Sequence, residues 1–239
     1  MPDRLANSFP LFPLQLVVLP SEVVPLHIFE ERFKTMIEEC LSGDSEFGVV
    51  WMADDGLHDV GCACRIDRVI ERFDDGRMNL LARGTRPLRI VERQRDLAYP
   101  AGIVEFLLDD PGAPQQRLID AALDAYAELV HKATDRTPSA EELKAMDAYA
   151  MAATVDFGLE AKQGLLALRS EAARLQLVTR LFRAALKRLD FVDRAQARAQ
   201  VQRQGPIRLT AERCHPGCST RRPSHRLPLC ARAGEIGER

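Results

Sequence analysis

The sequence predicts an α+β protein: a small β-barrel with one interrupting helix, then a C-terminal helical bundle and a disordered tail. Three observations predict it. Between residue 9 and about residue 108, short β-rich runs alternate with turn residues, the spacing of a small barrel or sandwich. After Asp109-Asp110-Pro111-Gly112-Ala113-Pro114 the apolar residues recur every three or four positions, the period of helices with one buried face. Beyond Gly205 neither period survives. The expected boundaries are 9–110 for the barrel, 111–195 for the helices, and 196–239 for a frayed helix end and a Pro/Arg-rich tail.

The strands are expected in this order. Leu14–Leu19 is a β-rich run stopped by Pro20-Ser21, and Glu46–Trp51 is a second, followed by Asp54-Asp55-Gly56, both bounded by turn formers. From Val60 the apolar residues alternate, with Val60, Cys62, Cys64 and Ile66 on one strand face and Ala63, Arg65 and Asp67 on the other. Asp74-Asp75-Gly76 makes a hairpin turn, because glycine supplies the positive φ such a turn demands. Met78, Leu80 and Ala82 carry the return strand, and Leu88–Ile90 and Ile103–Leu107 add two more. The interrupting helix is read from Phe29, Phe33, Ile37 and Leu41 at four-residue steps, with Glu30 and Glu31 in its first turn and Gly43 just past its end.

In the helical half, Leu118, Ala122 and Leu129 mark a helix to about Lys132. Ser139 with Glu142 has capping-box spacing and opens a second helix running toward Phe157-Gly158. A short helical stretch spans about Glu160–Leu168, and Ser170 caps a long helix striped by Leu175, Val178, Phe182, Leu186 and Leu189. Past Asp193 little remains to bury. The stretch 205–239 has no lysine, four prolines and few large apolar residues. It reads as disordered, or as an extension unrelated to the rest.

Composition excludes several classes. The 239 residues are 46% hydrophobic and 28% charged with a net charge of −2, ordinary for a soluble domain. A chain of this length buries enough surface, roughly 70–75%, to need no disulfide or metal staple. Seven arginines against three glutamates give residues 205–239 a local +4, leaving the first 204 residues at −6. That acidic body lacks the footprint of a phosphate binder, so no nucleic acid is expected. No apolar run approaches the ~18–20 residues of a membrane span, and the first eight residues carry no apolar signal core. No membrane association and a cytoplasmic location are therefore expected.

Chemistry-bearing motifs are missing too. The chain has no G-x-x-x-x-G-K-[ST], no G-x-G-x-x-G, no G-x-S-x-G and no H-E-x-x-H. The histidines His27, His58, His131, His215 and His225 stand in no metal or triad spacing. Catalytic, cofactor-binding and metal residues are each expected to be none, and no cofactor is expected. Cys62 and Cys64 are read as small buried hydrophobes, since i, i+2 thiols on a strand do not match disulfide geometry. Cys214, Cys218, His225 and Cys230 have the ligand types of a zinc site but no hydrophobic support, and are read as incidental to the tail. His27 is expected to brace the helix that follows it.

Phe12-Pro13-Leu14, Val18-Leu19-Pro20 and Pro25-Leu26-His27-Ile28-Phe29-Glu30-x-Arg32-Phe33 together resemble the N-terminal substrate-recognition (LON) domain of bacterial Lon proteases. Phe47-Gly48-Val49-Val50, the Gly61–Ile66 strand, Asp75-Gly76-Arg77, Lys162-Gln163-x-Leu165-Leu166 and Arg174-Leu175 extend the resemblance over about residues 9–190. Ser21 stands where the family often has Gly, Phe33 for a usual Tyr and Cys62 for a usual Thr. The resemblance implies a PUA-like barrel with a helical bundle, and a stand-alone LON-domain protein without the ATPase and peptidase modules of Lon.

It also implies a non-catalytic module that recognises unfolded or extended polypeptides, alone or as an adaptor to a protease or chaperone in protein quality control. The motif at Pro20–Phe33 is expected to build the fold, and the binding residues are left unassigned. The competing readings are an RNA-binding PUA-like protein, disfavoured by charge, and a hydrolase, disfavoured by the missing motifs.

Overall fold

In the computed structural model, residues 5–94 and 97–203 are described. The expected tail, with Cys214, Cys218, His225 and Cys230, lies outside the described residues. The described residues form a mixed six-stranded sheet and six helices: β1 (Leu5–Leu14), β2 (Val23–Ile28), α1 (Glu31–Gly43), β3 (Phe47–Ala53), β4 (Gly56–Arg72), β5 (Met78–Gln94) and β6 (Ala101–Phe106), then α2 (Gln116–Thr134), α3 (Ala140–Lys144), α4 (Ala148–Ala153), α5 (Leu159–Ala167) and α6 (Glu171–Arg203).

Strand order is β2-β5-β4-β3-β1-β6, and β6 pairs again with β5. The pairings among β5, β4, β3, β1 and β6 therefore close on themselves, while β2 pairs only with β5 among the described residues. All five strands of the closed path contribute to one small apolar cluster: Phe9 and Leu11, Val50, Ala63, Leu88 and Ile90, and Val104 and Phe106. β1 and β3 run parallel, which requires a crossover. β2 and α1 supply it. The buried face of α1, Phe33, Met36, Ile37 and Cys40, packs onto the sheet, with the Phe12 and Phe33 ring centroids 4.3 Å apart.

The second core cluster is larger and continuous. It joins Phe47, Trp51, Cys62 and Leu80 of the sheet to Tyr126, Tyr149, Leu165 and Phe182 of the helices. Cys62 and Cys64 face this cluster, whereas Ala63 between them faces the small one. That stretch of β4 is thus buried on both faces, where the alternation implied one buried face.

Four local expectations are corrected. The run Leu14–Leu19 is strand only at Leu14; Val17, Val18 and Leu19 are buried in a non-strand segment. That segment rests on β5 so closely that a Cβ on Gly84 would lie 2.2 Å from the Leu19 carbonyl oxygen. Phe29 precedes α1 and is 59% exposed, so it does not belong to the buried helical face. The α1 stop is one residue later than expected: Gly43 ends the helix, and Asp44 takes the left-handed position at φ 45°. The helix expected from Ser139 toward Phe157 is two short helices. Ser139 and Glu142 do form the reciprocal capping box, but α3 ends at Lys144 and Asp147 caps α4 anew. The long helix carries its stripe as expected, with Leu175, Val178, Phe182 and Leu186 buried.

Candidate functional site

The residues of the recognisable motifs are mostly internal. Glu22 accepts a hydrogen bond from the Leu19 amide through Oε2 at 2.9 Å, and its Oε1 pairs with Lys162 Nζ of α5 at 2.5 Å. The neighbouring Gln163 Nε2 donates to the Val60 carbonyl of β4 at 2.9 Å. These bonds fasten α5 to the sheet.

Arg174 is the other fastening. It is 3% exposed and donates to Asp109 just past β6, to Glu171 on its own helix and to the Leu168 carbonyl at the end of α5. Its guanidinium carbon lies 4.4 Å from the centroid of the Tyr149 ring. Burial alone would lower the Arg174 pKa, but the bonds to Asp109 and Glu171 and the proximity of Tyr149 outweigh it and raise the value. The Arg174 hydrogen bond holds the Asp109 carboxyl below its ordinary range, and burial pushes the Tyr149 hydroxyl up to about 12. A crevice between sheet and helices is the natural expectation for a binding site in a two-layer molecule. Lys162, Gln163 and Arg174 bridge that junction.

The remaining expected residues are placed as follows. Cys62 and Cys64 are fully buried, and desolvation raises the Cys62 thiol well above its usual value. Their setting is that of small core side chains. His27 does not brace α1: it lies on β2, and its Nδ1 is 2.6 Å from Asn79 Oδ1 of β5. Its ring stacks on Phe29 at 5.9 Å and meets Phe73 edge-on at 6.3 Å, while Arg77 covers Phe73 at 5.2 Å. His27 and Phe29 are both exposed, so this is an aromatic cluster facing solvent. The helical spacing of Phe29 to Phe33 hid it. The signal against that reading is Glu30-Glu31: an acidic pair marks a helix start, which leaves Phe29 outside.

The cluster adjoins the open edge of β2. Gly84 N–H donates to the Glu22 carbonyl at 2.9 Å, so backbone alternation turns Val24, Leu26 and Ile28 toward β5 and Val23, Pro25 and His27 outward. Pro25 has no N–H there, which blunts the edge against addition of a further strand. Contacts on this side therefore fall to side chains. Among the described residues, no group of three or more His, Cys, Asp or Glu side chains is placed to hold a metal. No described helix is long and apolar enough to cross a membrane.

Comparison with known proteins agrees with the arrangement. Residues 8–184 match the ATP-dependent protease La (LON) substrate-binding domain family. The chain is 26% identical to Lon protease 2 of Myxococcus xanthus over 215 residues, covering 81% of this chain and 26% of that protein. It thus spans about a quarter of that relative's length. A Lon N-terminal domain protein from Xanthomonas campestris superposes with a TM-score of 0.56 at 25% identity, covering 72% of this chain and 96% of the other. The N-terminal domain of the Mycobacterium avium complex Lon protease, 21% identical, shares the fold with a TM-score of 0.53 over 74% of this chain and 98% of its own. With the family match spanning most of the chain, this protein belongs to the LON substrate-binding domain family.

Proposed function

We propose that the chain is a non-catalytic polypeptide-recognition module that binds unfolded or extended segments and serves a protease or chaperone as an adaptor in protein quality control. The observation that carries this reading is the aromatic cluster of exposed His27 and Phe29 with half-buried Phe73, beside the blunted edge of β2. A contiguous apolar patch on a soluble domain marks an interaction surface, and the family to which the chain belongs recognises substrate. The closed path of strand pairings and its small inner cluster support reading residues 9–110 as a PUA-like barrel, with residues 111–195 as its helical partner. We place ATP hydrolysis and peptide cleavage with a partner, not with this chain.

Ordering a flexible ligand opposes binding, so a single site should hold a peptide with a dissociation constant on the order of 1–100 μM. The test is fluorescence anisotropy of labelled Leu/Phe-rich peptides against the full chain, with a labelled RNA control at low and high salt. Binding should weaken several-fold in F29S and F73S. RNA bound with a steep salt dependence, together with no peptide binding, would overturn the proposal.

A further inference from the structure

Among the described residues nothing covers the outer face of β2, β5 and β4, and its composition is not that of a neutral apolar patch. Three cross-strand rows define it. Val23 pairs with Arg83 and Arg83 with Arg65; Pro25 pairs with Leu81 and Leu81 with Arg68; His27 pairs with Asn79 and Asn79 with Glu71. The opposite face of the same strands is core, with Leu26, Met78, Leu80 and Ala82 all buried. On the outer face Val23, Pro25, Arg65, Arg68 and Arg83 are exposed.

The charges on this face are unevenly satisfied. Asp67 pairs with Arg83 at 3.3 Å, and Glu71 accepts from Asn79 at 3.1 Å. Arg65 and Arg68 have no hydrogen-bond or ion-pair partner among the described residues. The two carboxylates of the face are thus engaged, and two guanidinium groups are left free next to an apolar rim of Val23, Pro25 and Leu81. Arg65 and Arg68 pair with positions two apart on β5, which places them roughly 7 Å apart along the strand direction.

We propose that this face selects acidic extended polypeptide segments, with two carboxylates at positions i and i+2 pairing with Arg65 and Arg68 and an apolar neighbour packing on Val23, Pro25 and Leu81. An extended chain carries side chains i and i+2 on one side at that same spacing of roughly 7 Å, so both pairs form without bending the ligand. The blunted edge of β2 supplies no continuous ladder, so charge and apolar contact discriminate among ligands here. The apolar rim favours a polypeptide over a nucleic acid, because the phosphates of a nucleic acid would use the arginines and leave Val23 and Pro25 unmatched. The inference rests on the polypeptide reading and names the sequences that reading would favour.

The experiment compares two labelled peptides with the full chain, one with a Leu-Glu-x-Glu-Leu core and one with Gln in place of both Glu. The acidic peptide should bind about tenfold more tightly at low ionic strength, the combined effect of two exposed charge pairs. About 0.5 M salt should erase that preference, since screening acts on exposed pairs. The double substitution R65Q/R68Q should remove the preference while leaving the Gln peptide unaffected, and R65K/R68K should retain it. Equal binding of both peptides would overturn this inference and leave the polypeptide reading standing. Binding of neither would overturn both. Single-stranded RNA that outcompetes the acidic peptide and is lost in R65Q/R68Q would reassign the face to nucleic acid.

Discussion

Arg174 offers a quantitative test of how the sheet and helices are joined. Its side chain is almost fully enclosed, whereas its partner Asp109 has a side chain 47% exposed and Glu171 lies between these extremes. Replacing the arginine by methionine keeps most of the stem volume and removes the buried charge. The two carboxylates then hydrate in place, and the main losses are the bond to the Leu168 carbonyl and the contact with Tyr149. Losses of that kind sum to about 1–2 kcal/mol. The double substitution D109N/E171Q does the opposite: it preserves shape but leaves a guanidinium enclosed without a counter-charge, which costs about 3–5 kcal/mol. The ordering is the prediction. Urea unfolding followed by circular dichroism, at about 2 kcal/mol per molar, should lower the midpoint by about 0.5–1 M for R174M and about 1.5–2.5 M for the double variant. An R174M midpoint as low as that of the double variant would refute the reasoning, because it would make the ion cluster a net source of stability instead of a buried charge that requires its partners.

The remaining predictions concern the same body of the protein. Asp109 has a folded pKa below its unfolded value, so its contribution is present above about pH 4 and is lost as pH falls through the folded value. Acid titration of the melting temperature should therefore fall less steeply in D109N than in the wild type. A methyl group on Gly84 would collide with the backbone of Leu19, so G84A should lose about 3 kcal/mol in denaturant unfolding; an unchanged midpoint would show that the Val17–Leu19 segment moves freely off β5. Ser21 adopts φ 69°, a left-handed conformation that costs a non-glycine residue about 1 kcal/mol, so S21G should gain about 0.5 kcal/mol once the added freedom of the unfolded chain is offset. Trp51, the only tryptophan, stacks on the His58 ring at 4.4 Å and 2°. Its emission should rise in H58A, which removes the stacked ring, while circular dichroism stays unchanged.

The strand-rich half was legible wherever a turn residue punctuated it. Gly56 and Gly76 sit at positive φ where the hairpins turn, and the β4 alternation correctly separated Cys62 and Cys64 from Ala63. Legibility failed where local pattern and tertiary packing disagreed. Val17, Val18 and Leu19 look like strand because they are β-branched or large and apolar, yet burial against β5 and the close approach at Gly84 satisfy them without a ladder. The Ser139 cap is legible in the sequence, but the break at Ala145-Met146 is not, because no proline or glycine marks it. Arg174 was visible only as part of a family motif. Nothing in its neighbourhood announces that a charged side chain will be enclosed, since its partner Asp109 lies 65 residues away in sequence.

The family motif and the candidate binding surface overlap only in part: Pro25, His27, Phe29 and Arg65 belong to both, whereas Val23, Arg68, Phe73 and Leu81 lie outside the motif stretches that carry the resemblance. Phe12, Leu19, Glu22, Phe33, Lys162, Gln163 and Arg174 are spent on the core and on the junction between sheet and helices. A motif of this kind reports a fold, because each member has one internal geometry to satisfy and any substitution leaves a cavity or an unpaired polar group. The outer face of β2, β5 and β4 has no such constraint. Arg65 and Arg68 can change without disturbing a buried contact, and so can Phe29, which is two residues outside α1. The proposed recognition surface therefore lies where the fold is most permissive: on the outer face of a sheet whose inner face is core and fixes the backbone from which those side chains project.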